Sequence, residues 1–535
     1  MNNLEHFRTN TGKQERLNQL IEEVLERHSH PEDVYEIVAI LESVGWNDDQ
    51  AVREFGANDL FDLSIQIWEM IKSKLTYVTF HTVEKQSMKQ ISIEMIRSFL
   101  RGLIFAFPMA VSVISMLTLR YSLWSYENLS VEQATAIAIG TILSFITVGG
   151  VTQAIARRGF FYIIQGYFHL AKKNTFIFIR IGYLLCIALG VGIYVLNMMF
   201  NFFPFRMFSL IILFFFFLNA IWLSVTVMYI LKKELVFTGL IILGIFIVFI
   251  FFEVLGMNII LAQIIALCLI SISSMFLVFY FFKKEIKKSE KGINLQMPKI
   301  SITFYSVGPY FFYGFLYFTF LFVDRVISWS TNDQYMPYVI WFRGSYELGL
   351  DFALLVLMIP MGVSEVIVNK LMKDLENSQK NYLAIESKEM YREFFGKYKR
   401  MFSVNILSGI ASAFLIYLFV LNFDKIPYFI GEHGLISSKV TRFVLLWGVV
   451  GYVIVSICLM NAVILFALSQ PSMVIKAIFP ALLINIFSGF LLTRWFHYED
   501  AVFGLVLGAI YMSSVSTYYV RKVLKNIDYY LYAAS

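Results

Sequence analysis

The sequence predicts an all-α polytopic membrane protein, with about twelve transmembrane helices in two six-helix halves and a small helical module ahead of them. Three observations predict it. Hydrophobic residues make up 58% of the 535 and charged residues only 15%, against roughly 25% charged in soluble domains. Segment after segment reaches the roughly 20 apolar residues that cross the hydrocarbon layer. A block of six lysines within Lys283–Lys299 then divides these segments into two groups of about six.

Residues 1–75 read as a cytosolic helical module. The stretch from Lys13 to Arg27 is amphipathic, with Leu17, Leu20, Ile21, Val24 and Leu25 on one face. A second helix spans Val34 to Ser43 and Gly45 stops it. Asn47 or Asp48 caps a short third helix ending at Gly56, and Asp59 caps a fourth from Leu60 to Lys74. Three short helices over this length resemble the ubiquitin-associated fold, with Val44-Gly45-Trp46 at its first loop. Residues 76–98 read as a linker or surface helix.

Spans are expected at 99–119, 134–156, 176–196, 207–231, 235–255 and 259–282 in the first half, 99–282. A basic cytoplasmic loop, 283–300, follows. The second half, 301–520, holds spans at 303–329, 345–365, 401–421, 441–468, 472–493 and 500–520, and 521–535 form a cytoplasmic tail. Basic residues fall in alternate loops: Arg157, Arg158, Lys172 and Lys173, then Lys232 and Lys233, then the lysine block, then Lys370 through Arg400, then Arg521, Lys522 and Lys525. The positive-inside rule therefore places both termini in the cytoplasm. The polar first 95 residues leave the first span to act as an uncleaved signal anchor. Phe160–Lys173 and Val366–Arg400 are amphipathic and are expected to lie along the inner leaflet of the bilayer.

Ionisable residues inside spans are costly and mark function by default. Glu253 lies near the outer end of the fifth span, Asp324 and Arg325 near that of the seventh, and Arg343, Glu347 and Asp351 open the eighth. Glu347 and Asp351, four apart, share a helix face. Such residues line a substrate or ion pathway, form a static ion-pair network between the seventh and eighth spans, or simply snorkel to the surface. Tyr313 and Tyr317, with Tyr310 and Phe320, recur at helical spacing on the seventh span. They fit either a path for sugar rings or an interfacial aromatic belt. Pro108 and Pro309 sit early in the first and seventh spans, where each permits a kink, and matched broken helices point to a transporter site.

Enzyme signatures are missing: there is no Walker loop, no HExxH and no GxSxG elbow. No catalytic residue, cofactor or metal is expected. Cys186, Cys268 and Cys458 lie within apolar runs, so neither a disulfide framework nor a metal site is read from them. The net charge of +6 is carried by loops between spans and implies no nucleic-acid partner.

The segment GPYFFYGFLYFTFLFVDRVISWS, from Gly308 to Ser330, is a glycine-rich aromatic helix ending in Val-Asp-Arg and then Trp. It resembles the Pel exopolysaccharide transporter family of the MOP flippase superfamily, which includes MATE exporters, O-antigen flippases and lipid II flippases. The resemblance covers about residues 95–525. It implies two six-helix bundles alternating access in a bacterial inner membrane, and export of a polysaccharide rich in N-acetylgalactosamine for biofilm. It also implies a cytosolic glycosyltransferase and membrane scaffold partners, and it singles out Asp324 and Arg325. The N-terminal module departs from the family and is expected to dock a cytosolic partner. Two other readings stay open: another MOP-type exporter, of lipid-linked oligosaccharide or small molecules, and a synthase scaffold that transports nothing.

Overall fold

The computed structural model describes residues 16–24, 34–77, 88–126, 128–288, 299–331, 336–379, 387–423 and 438–532. It divides into two compact units, Met1–Gln90 and Ile91–Ser535.

In the first unit, α1 covers residues 16–24, α2 Val34–Ser43, α3 Asp48–Gln50 with a π turn at Ala51–Phe55, and α4 Leu60–Tyr77. Local chemistry sets these boundaries. The Asn47 side chain accepts the Gln50 N–H at 3.0 Å, and the Gln50 side chain accepts the Asn47 N–H at 3.2 Å, a reciprocal cap. Gly56 closes the π turn at φ +60°, and Gly45 ends the α2 turn at φ +96°, both left-handed positions where a Cβ is strained. Asp59 Oδ1 accepts the Asp62 N–H at 2.6 Å at the start of α4. Ile21, Ile37, Leu41, Leu63 and Ile67 form the buried core, and Trp46 packs on Phe55 at 5.6 Å.

The second unit is a helical bundle. Its elements are α5 Met88–Leu119, α6 Val131–Ile164, α7 Phe168–Phe200, α8 Phe205–Ile230, α9 Glu234–Phe249 with a π turn at Ile250–Val254, and α10 Ile259–Lys288. After the basic segment come α11 Ile300–Trp329, α12 Gly344–Leu354, a 3-10 turn at Leu355–Leu357, α13 Met358–Gln379, α14 Ser387–Phe423, α15 Lys439–Ala467, α16 Pro471–Trp495, α17 Val502–Lys525 and α18 Ile527–Tyr532. Among the described residues, eleven helices are long and apolar enough to cross a membrane, with α12 and α13 joined as one of them. The first expected span, 99–119, lies in α5.

Two hydrophobic cores mark the two halves. One is drawn mainly from α6 to α10, around Phe214, Leu218 and Ile241. The other is drawn mainly from α11 to α17, around Phe320, Tyr346, Tyr452 and Leu505. Large apolar side chains such as Leu184, Phe276 and Phe487 are exposed on the outside, as a lipid-facing surface requires. Lipid gives little hydrophobic drive for helices to associate, so contact between them rests on close packing at small residues. The halves meet at such points. A Cβ added at Gly150 would lie 2.6 Å from the Phe311 carbonyl, and Gly314 of α11 sits directly on the Gly149 carbonyl of α6. Gly102 of α5 likewise meets Gly362 of α13.

Several sequence expectations are corrected. Phe160–Lys173 is not a separate surface helix: α6 continues to Ile164, Gly166 turns the chain at φ +79°, and α7 begins at Phe168. Val366–Arg400 is divided between the end of α13 and the start of α14, with 380–386 outside the described residues. An amphipathic stretch has the same period whether it lies on a membrane or extends a spanning helix, which is why the two were not told apart. Residues 88–96 of the expected linker are the first turns of α5, and α4 runs three residues past Lys74. Helices α5 and α11 run unbroken through Pro108 and Pro309. Each proline removes one backbone hydrogen bond without dividing its helix. Of the lysine-rich loop, 283–288 complete α10 and 289–298 lie outside the described residues.

Candidate functional site

The last turns of α11 and the first turns of α12 are joined by a buried ion cluster. Asp324 and Arg325 are adjacent on α11, and the i, i+4 spacing on α12 turns Glu347 and Asp351 to the same side. Arg325 Nη1 donates to Glu347 Oε1 and, at 3.0 Å, to Asp351 Oδ1. Tyr346 donates its hydroxyl to Asp324 Oδ2 at 3.0 Å. Asp324, Arg325, Tyr346 and Glu347 are all buried, Asp324 completely, and Asp351 is half-buried. Tyr452 of α15 faces the guanidinium outside hydrogen-bond geometry.

The stoichiometry decides what this cluster can do. Three carboxylates face a single guanidinium, and breaking a buried pair leaves a charge that costs several kcal/mol. Asp324 Oδ1, Glu347 Oε2, Arg325 Nε and Nη2 and the Tyr452 hydroxyl have no hydrogen-bond partner among the described residues. The cluster is therefore both anionic in excess and rich in unspent donors and acceptors. No group of three His, Cys, Asp or Glu side chains is set to hold a metal ion among the described residues.

The other expected site residues are placed differently. Glu253 is exposed in the π turn Ile250–Val254 and is not brought into the cluster. Arg343 donates to the Thr331 carbonyl at 2.8 Å and lies 4.6 Å from the Tyr498 ring centroid. With Arg494, whose guanidinium reaches Ser330 and Thr331 at 2.8–3.0 Å, it puts positive charge at the carbonyl end of α11, where the helix dipole favours it. Tyr313 is buried, stacks on Tyr317 at 5.7 Å and meets Phe466 of α15 edge-on at 4.8 Å. These tyrosines pack between helices α11 and α15.

Two features escaped the sequence. The first is a link from the cluster to the other half: the Tyr126 hydroxyl, between α5 and α6, donates to Asp351 Oδ2 at 3.1 Å. Tyr126 also packs on Phe342 at 4.8 Å, and the Phe342 N–H donates to Thr135 Oγ1 of α6 at 3.1 Å. A cleft of about 340 Å³ opens beside this latch, between Tyr126, Leu129, Ala134 and Leu348. The second is an aromatic column between the halves. Phe145 of α6 stacks on Phe318 and Phe322 of α11 at 5.6 and 5.2 Å and lies tilted against Trp222 of α8 at 4.6 Å, and Trp222 meets Trp124 edge-on at 5.7 Å. Arg325 lies 5.4 Å from the Phe322 ring centroid, so the column ends at the ion cluster. Such residues look like ordinary core aromatics in one dimension.

The halves are also held at the opposite, basic end. Arg157 donates to Ser469 at 3.3 Å and lies 5.0 Å from the Tyr310 ring centroid, and Arg158 donates to Ser306 at 2.5 Å. Contacts thus close the interface at both ends.

Twenty-one chains among solved structures match this architecture. A variant of the Vibrio cholerae MATE transporter VcmN aligns with a TM-score of 0.56 at 14% identity, over 83% of this chain and 98% of that one. The membrane unit has the MATE transporter fold. A eukaryotic MATE transporter aligns at TM-score 0.54 and 11% identity, over 84% of this chain and 98% of that one. A MOP-superfamily transporter from Pyrococcus furiosus, whose binding pocket has reversed polarity, aligns at TM-score 0.54 and 12% identity, over 81% and 96%. No protein-family profile and no curated protein matches the sequence. The MATE fold thus carries a buried ion cluster in its second half, with a tyrosine latch to its first.

Proposed function

We propose that this chain is an alternating-access exporter of a polysaccharide rich in N-acetylgalactosamine, working in a bacterial inner membrane with both termini cytoplasmic. A cytosolic glycosyltransferase and membrane scaffold proteins are its partners. The observation that carries the reading is the Tyr126–Asp351 hydrogen bond, because it ties an over-acidic buried cluster to the opposing half. A proton or monovalent cation arriving at Asp351 competes with the Tyr126 hydroxyl and releases that end, while the contacts of Arg157 and Arg158 hold the other. Cargo shifts such an equilibrium only through unequal affinity for its two states. The aromatic column supports a glycan, since sugar rings lie flat on aromatic faces and Arg325 with Asp324 offers polar atoms at its end. The Val323-Asp324-Arg325 motif of the Pel family supports the same cargo.

A second reading, export of a lipid-linked oligosaccharide, draws on Arg157 and Arg158 at the basic end, where an anionic headgroup would meet guanidinium groups. The test is surface polymer in a deletion strain, probed with a lectin for N-acetylgalactosamine and complemented with wild type and Asp324→Asn. Loss restored by wild type alone is expected. Wild-type polymer with Asp324→Asn at matched abundance removes the role of the cluster, and unchanged polymer on deletion removes the polysaccharide assignment. Accumulation of lipid-linked precursor on deletion favours the second reading.

A further inference from the structure

The N-terminal unit carries an apolar face outside its own core. Tyr35 of α2 and Phe61 of α4 meet edge-on at 5.3 Å yet are 71% and 38% exposed. Ile65, one turn along α4, is 39% exposed, and half-buried Trp68 continues the stripe. The buried side of α4 is a separate stripe of Leu60, Leu63, Ser64 and Ile67, and Trp68 leans on the core from the second face, while Tyr35, Phe61 and Ile65 lie outside it. A small module does not keep two aromatic rings and an isoleucine in water for its own stability, because their exposed area is worth roughly 25 cal/mol per Å² when covered.

Charge says what covers the face. Between Val34 and Met70 there are eight carboxylates and one cation, Arg53, in a chain whose overall charge is +6. Glu36 neighbours Tyr35, Asp62 neighbours Phe61, and Glu69 neighbours Trp68. A surface this negative is repelled by anionic lipid headgroups, and it selects a partner with lysines or arginines around apolar anchors. We infer that the Tyr35–Phe61–Ile65 face docks a cationic amphipathic helix of a partner protein, laid along α4 with its apolar side on the rings and its basic flanks toward Glu36, Asp62 and Glu69. This recognition mode uses apolar anchors for affinity and flanking charge for choice of partner. The inference deepens the reading of the module as a docking element and is independent of what the membrane unit transports.

The test uses the full chain in nanodiscs of neutral phosphatidylcholine. The probe is a fluorescent eighteen-residue leucine–lysine amphipathic peptide, with the leucine–glutamate analogue as control. Binding of the lysine peptide that weakens with salt, and that Phe61→Ser with Ile65→Ser weakens about ten-fold, as the loss of a central anchor does, is the expected result. Glu36→Gln with Glu69→Gln leaves the core untouched and is expected to weaken binding and flatten its salt dependence; it carries the test if the serine variant is cleaved by protease as an unfolded module would be. Equal binding of the two peptides, or binding that neither variant changes, overturns the inference. So does self-association through this face that the lysine peptide does not compete with, or capture of phosphatidylglycerol vesicles that the serine variant abolishes.

Discussion

The Tyr126 hydroxyl and Asp351 Oδ2 lie 3.1 Å apart although 225 positions separate them in the chain. Asp351 also receives Arg325 Nη1 at 3.0 Å, so one carboxylate serves both the ion cluster and the latch between halves. Neutralising or displacing it acts on two contacts at once.

Removal of the latch alone is the direct test. Tyr126→Phe keeps the ring contact with Phe342 and deletes the hydroxyl. A hydrogen bond to a charged group is worth about 1.5–3 kcal/mol, so the population open at this end is expected to rise about ten-fold or more. Alkylation of a cysteine placed at Leu348, which lines the adjacent cleft, reads it. An unchanged labelling rate would mean that other contacts hold this end.

The cluster also sets stability asymmetrically. Arg325→Met removes the guanidinium paired with both Glu347 and Asp351, and is expected to cost about 3–5 kcal/mol, the range for breaking a buried pair. Glu347→Gln removes one negative charge from an over-acidic site and is expected to cost far less. Thermal unfolding of the two purified variants separates them. Similar losses would show that the excess negative charge is already relieved elsewhere.

How much of this was legible in the chain follows from the range of each interaction. Helix α2 and the Asn47, Gly56 and Asp59 boundaries were readable because caps and left-handed glycines act within a turn of the backbone. The spans were readable because hydropathy is set by composition alone. The partnership of Glu347 and Asp351 was readable from i, i+4 spacing, and their sharing of Arg325 follows once α11 and α12 are antiparallel neighbours. Tyr126, Phe145 and Trp222 were not readable, since nothing local distinguishes a latch or a stacked column from core aromatics. Glu253 resembled the cluster residues in depth and charge, yet the π turn leaves it exposed. The continuation of α13 and α14 beyond the apolar stretch was hidden because their polar ends keep helical period.

Helix contact between the halves gives the last prediction. A methyl group at Gly314 would fall on the Gly149 carbonyl and crowd Gln153, whereas one at Gly192, in the interior of α7, meets nothing within 4 Å. Gly314→Ala therefore has to push α11 off α6, and overpacking of this kind costs about 1–3 kcal/mol. Gly192→Ala is expected to be neutral or mildly stabilising, since alanine is favoured over glycine in a helix by up to about 1 kcal/mol. A lower melting temperature for Gly314→Ala and an unchanged or slightly higher one for Gly192→Ala are the expected outcome, with Gly314→Ala also raising cysteine accessibility along the α6–α11 seam. Equal tolerance of both would mean that the halves are not packed backbone to backbone at Gly149 and Gly314, and that their closure rests on the side-chain latches at the two ends.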